Sequence, residues 1–98
     1  MKRSEALRKL RPFASALKER GATSLYLFGS TDRNRARDES DVDLFLDYDP
    51  RSNFNAFDLV AAKRMLQKAL GVSVDLTTRE GLHPLIRKKI EAESTRVF

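Results

Sequence analysis

The stretch Leu25-Tyr26-Leu27-Phe28-Gly29-Ser30, followed after ten residues by Asp41-Val42-Asp43-Leu44-Phe45-Leu46-Asp47, decides the fold. Its two ends are rich in Leu, Phe, Tyr and Val, the composition of short strands bounded by turn residues. In the second end, Val42, Leu44 and Leu46 alternate with Asp41, Asp43, Phe45 and Asp47, so one face is apolar and the other acidic. Strand residues two apart project from the same face, about 7 Å from one another. Asp41 and Asp43 therefore point together, and two carboxylates so placed repel unless a cation lies between them. A hard divalent cation answers this, because magnesium prefers carboxylate oxygens combined with substrate phosphates. An ordinary half-exposed sheet face is the alternative for any isolated Asp-x-Asp.

Two neighbouring features weigh against that plainer reading. Gly29 follows a strand directly, where glycine permits positive φ and close approach of backbone to a ligand. With the Ser30 hydroxyl and successive backbone N–H groups, such a turn makes an anion-binding concavity. A third acid, Asp75, interrupts the apolar series Val72, Val74 and Leu76 in another strand-like segment, 72–77. If that strand lies beside the second, three carboxylates share one open face and are able to hold two metal ions.

Outward from this centre the chain reads as helices. Leu7, Leu10, Ala14 and Leu17 recur at helical spacing over residues 4–20, with Ser4 as cap, a kink or restart at Pro12 and a stop at Gly21. Strands follow at 23–28 and 41–47, and Asp49-Pro50 marks a turn. A second helix is predicted over about 54–70, capped by Ser52 or Asn53 and ended by Gly71. Phe54, Phe57, Ala61 and Met65 form one stripe on it, with Leu59, Leu66 and Leu70 beside them. The last helix, 84–93, starts at Pro84 and is expected to turn Leu85, Ile86 and Ile90 inward. Thr95 to Phe98 reads as a short strand or a docked tail. His83 reads as structural, since one histidine supplies no metal cluster.

The 98 residues suit a single domain, 1–98, of α/β (α+β) class: a small mixed β-sheet with helices packed mainly on one face. There are no cysteines, which excludes a disulfide framework and a zinc–thiolate site. Neither a membrane span nor a signal core is present, so a cytoplasmic location is expected. The formal charge of +5 suits an anionic partner without choosing among nucleic acid, nucleotide and acidic protein. The run Arg87-Lys88-Lys89 reads as solvated helix surface rather than a nucleic-acid footprint.

Taken together, Leu25-Tyr-Leu-Phe-Gly-Ser, Ser40-Asp-Val-Asp-Leu-Phe-Leu, Val74-Asp-Leu and the helix Leu85-Ile-Arg-Lys-Lys-Ile-Glu-Ala-Glu resemble the polymerase-beta-like nucleotidyltransferases. The likeness is strongest to their minimal branch, the MNT domains, and spans nearly the whole chain. It implies that Asp41, Asp43 and Asp75 are catalytic and ligate magnesium, two ions in all. Asp75 would also aid deprotonation of the acceptor hydroxyl. Gly29 and Ser30 would hold the triphosphate of ATP, Ser40 would brace the turn, and Arg33 would take the place of the family's usual arginine. Asn34 stands where glycine is common.

The resemblance further implies an antitoxin paired with a HEPN-family ribonuclease toxin in a hetero-oligomer. It would neutralise that toxin by transferring AMP from ATP to a tyrosine hydroxyl. The small size implies a shallow site that a partner completes. Other readings are a non-catalytic antitoxin acting by direct binding, and a nucleotidyltransferase acting on RNA or a small molecule. Direct nucleic-acid binding is not favoured.

Overall fold

Two runs of alternating residues set the sheet. The computed structural model describes residues 1–29 and 42–98. In them β1 (Ala22–Phe28) pairs antiparallel with β2 (Val42–Tyr48), which pairs parallel with β3 (Val74–Thr78). A two-residue β4 (Thr95–Arg96) closes the far edge in the order β3-β2-β1-β4. Thr95 to Phe98 is both of the expected things: β4 pairs with β1, and the Leu25 N–H donates to the Phe98 carbonyl at 3.1 Å.

Alternation then divides the sheet into two faces. Leu25, Leu27, Val42, Leu44, Leu46, Val74 and Leu76 are buried on one side. Against them pack α1 (Arg3–Leu10) and α2 (Ala14–Arg20), which bury Ala6, Leu10 and Leu17. Alongside lies α3 (Ala56–Leu70), which buries Ala62, Leu66 and Leu70. Full burial of each such leucine contributes about 1.5–3 kcal/mol. The restart at Pro12 is a 3₁₀ turn, Arg11–Phe13, between α1 and α2. Gly21 ends α2 at φ +117°, where a Cβ would also strike the Ser52 side chain. Among the described residues no helix is long and apolar enough to cross a membrane.

Several expectations need correction. The first helix begins at Arg3, so Ser4 lies inside it; Lys2 stands at the cap with no side-chain bond. Neither Ser52 nor Asn53 caps α3. Asn55 does, accepting from the Phe57 N–H at 2.9 Å while Asp58 accepts from the Asn55 N–H at 2.9 Å. The fully buried stripe is Ala62, Leu66 and Leu70 rather than Phe57, Ala61 and Met65, and Phe57 is 86% exposed. Phe54 does pack, stacking on Tyr48 with ring centroids 5.1 Å apart. The last helix, α4 (Pro84–Glu93), has the expected bounds, and His83 caps it by accepting from the Leu85 N–H at 3.2 Å. Its face is not the expected one: Leu85 is 88% and Ile86 49% exposed.

Candidate active site on the open face of the sheet

The side of the sheet away from α1–α3 presents Tyr26 and Phe28 from β1, Asp43, Phe45 and Asp47 from β2, and Asp75 and Thr77 from β3. In the parallel ladder Asp43 is level with Asp75, and Phe28 of β1 is level with Asp43 on its other side. Side chains at paired positions share a face. The two acids therefore stand side by side, on neighbouring strands, as the sequence led one to expect. Asp75 is exposed and Asp43 half-buried.

Gly29 lies against this pair. Its φ is +77°, and a Cβ built there would come 2.5 Å from Asp43 Oδ2. No side chain fits without displacing the carboxylate, so glycine is required both by conformation and by space. Ser30, Arg33, Ser40 and Asp41 lie outside the described residues. What the structure brings together is Gly29, Asp43 and Asp75. As a donor set, two adjacent carboxylates on an open sheet face fit a hard divalent cation.

Further along the same face the arrangement changes, in a way the sequence did not reveal. Asp47 receives Arg79 Nε at 2.8 Å and Nη2 at 2.9 Å, and Ser24 Oγ donates to it at 2.7 Å. Arg79 Nη1 donates to Glu91 of α4 at 2.5 Å. The same guanidinium lies 5.0 Å from the ring centroids of both Tyr26 and Phe45. Those rings stack at 4.8 Å, and Phe45 is fully buried although it sits outside the main core. The Arg79 hydrogen bonds hold the Asp47 carboxyl below its ordinary range, with Ser24 and the Arg79 and Arg87 charges adding to this against burial. Arg79 is in turn pushed further toward its charged form, chiefly by Asp47. The signal for this cluster in the sequence is thin: an arginine directly after a strand, with partners 32 and 12 residues away.

Comparison with known proteins settles the family. A model of the nucleotidyltransferase domain matches residues 7–97. The chain belongs to the nucleotidyltransferase domain family. It is 32% identical over 95 residues to "Putative protein adenylyltransferase MJ0435" of Methanocaldococcus jannaschii, covering 97% of each protein. A solved structure described as a putative minimal nucleotidyltransferase superposes with a TM-score of 0.80 at 32% identity, over 97% of this chain and 95% of that one. A further likeness is to a tri-AMPylated Shewanella oneidensis HEPN toxin in complex with MNT antitoxin. There the TM-score is 0.69 at 14% identity, over 98% of this chain and 71% of that one, a likeness of fold. The nucleotidyltransferase is thus of the minimal, MNT type, as its strand and glycine pattern suggested.

Proposed function

We propose that this nucleotidyltransferase is the antitoxin of a toxin–antitoxin pair, transferring AMP from ATP to a tyrosine hydroxyl of a HEPN-family ribonuclease toxin with magnesium. The observation that carries the reading is Asp43 level with Asp75, with the Gly29 backbone packed against Asp43. The adenylyltransferase name of the M. jannaschii relative supports the reaction, and the AMPylated toxin in the fold neighbour supports the acceptor class. The setting would be cytoplasmic, within a hetero-oligomer of the two proteins.

Asp41, Asp43 and Asp75 would hold two magnesium ions, which supply charge neutralisation at phosphorus. Asp75, exposed at the sheet edge, would accept the proton of the tyrosine hydroxyl as its oxygen attacks the α-phosphorus. The tyrosine O–P bond forms, the bond from the α-phosphorus to the bridging oxygen breaks, and pyrophosphate leaves. Backbone at Gly29 and Ser30 would hold the triphosphate, Ser40 would brace the turn, and Arg33 would offset phosphate charge. Most of the acceleration would come from positioning and electrostatics.

A second reading, neutralisation by contact alone, is favoured by Leu85 and Ile86, apolar and exposed on α4. Intact-mass measurement of the toxin after incubation with this chain, ATP and magnesium separates the two. A toxin heavier by AMP units is expected. An unmodified toxin that is nonetheless neutralised would replace transfer by contact.

A further inference from the structure

Among the cations at the open side of the sheet, Arg79 and Lys89 have opposite character. Arg79 is committed, bonded to Asp47 and Glu91 and stacked on two rings. Lys89 makes no ion pair or hydrogen bond among the described residues. Two residues away in the same run, Arg87 pairs with Glu91 at 3.4 Å.

Lys89 nevertheless has a definite place. It lines a cleft of about 220 Å³ between the end of β1 and α4, together with Phe28, Gly29, Ile86, Ile90 and Glu93. One wall is therefore Gly29, the residue that packs against Asp43. We propose that this cleft receives the polyphosphate tail of the nucleotide, and that the Lys89 ammonium binds the β- and γ-phosphates and then the departing pyrophosphate. The inference rests on the nucleotidyl-transfer reading above and adds a residue that reading does not contain.

Three properties of the cleft support it. Lysine is a compact point charge on a flexible stem, suited to a phosphate whose charge is spread over several oxygens. The side chains of Phe28, Ile86 and Ile90 in its walls offer the ammonium no competing acceptor. Glu93, four residues on, shares the cleft, but Lys placed N-terminal to Glu is the less favourable order on a helix, and no bridge forms. A ligand must out-compete one carboxylate for the ammonium, and a polyphosphate carries the charge to do so.

Calorimetric titration with magnesium pyrophosphate, magnesium with a non-hydrolysable ATP analogue, and AMP tests this on wild type, K89M, K89R and K88M. Lys88 points the control elsewhere, since it lines a different surface with Glu80, Leu82 and Pro84. K89M should weaken pyrophosphate and analogue by about ten- to hundredfold, the scale of a charged hydrogen bond. AMP affinity should stay within twofold, K89R should recover most of the loss, and K88M should match wild type. Analogue and pyrophosphate affinities within twofold of wild type in K89M would overturn the role of Lys89 and leave nucleotidyl transfer standing. A wild-type chain that binds neither ligand would overturn both.

Discussion

Asp43 and Asp47 are the same residue, four apart on one strand and one face, yet they end in opposite circumstances. Asp47 faces an arginine, with two hydrogen bonds from Arg79 and a third from Ser24. Asp43 faces another acid, Asp75, across the parallel ladder, with Gly29 pressed against it. One carboxylate is neutralised by the protein and serves the fold. The other stands level with a second acid on the neighbouring strand, where a cation would offset the shared charge. An acid in a strand is read by its partner rather than by its position.

Removing the acids of the proposed metal site should give the largest effect. Asp43→Asn and Asp75→Asn are each expected to cut AMP transfer at least about a hundredfold, with cooperative melting retained. Intact-mass time courses and circular dichroism check both halves. Gly29→Ala comes next. It must place a Cβ at positive φ against Asp43, so a stability loss of about 1–3 kcal/mol and a matching loss of transfer are expected in denaturant titration and activity assay.

At the structural end, Arg79→Met should destabilise by about 1–2 kcal/mol, because Asp47 and Glu91 lose their donor but remain partly reached by water. Asp47 also fixes a pH dependence. Its folded pKa is depressed, so its stabilisation is present above the unfolded value near about 4 and is lost as pH falls through the folded value. Melting temperature measured against pH should therefore drop less steeply below about pH 4 in Asp47→Asn than in wild type. The smallest effect on the isolated chain is expected from Leu85→Ser, within about 0.5 kcal/mol, since Leu85 is 88% exposed. Its effect should instead appear as weakened toxin binding in a pull-down titration.

Much of the site was legible because it is local. Gly29 directly after a strand, and Asp43 alternating with Val42 and Leu44, are facts of spacing. So is the matching Val74-Asp75-Leu76, whereas the pairing of β3 beside β2 was a condition that spacing left open and the parallel ladder meets. The helix stops at Gly21 and Gly71 were readable for the same reason, since both adopt positive φ. The Asn55 cap was readable too, in the Asn55-x-x-Asp58 spacing, but neighbouring Ser52 and Asn53 offer equivalent capping chemistry.

What spacing does not carry is long-range partnership. Nothing around Asp47 distinguishes it from Asp43 until Arg79, 32 residues on, folds back onto it. Nor does periodicity say which apolar stripe of a helix meets a sheet. Leu85 stands in solvent, Ile86 is half-exposed in the wall of the Lys89 cleft, and Phe57 stands in solvent on α3.

The contrast between the two ends is tested most directly by counting metal. Manganese titration followed by its paramagnetic resonance signal, with a non-hydrolysable ATP analogue present, can be run on wild type, Asp43→Asn, Asp75→Asn and Asp47→Asn at neutral pH. Wild type and Asp47→Asn should bind the ion alike, while Asp43→Asn and Asp75→Asn should lose affinity at least about tenfold. Equal binding by all four proteins would contradict the assignment of Asp43 and Asp75 as the metal-holding pair.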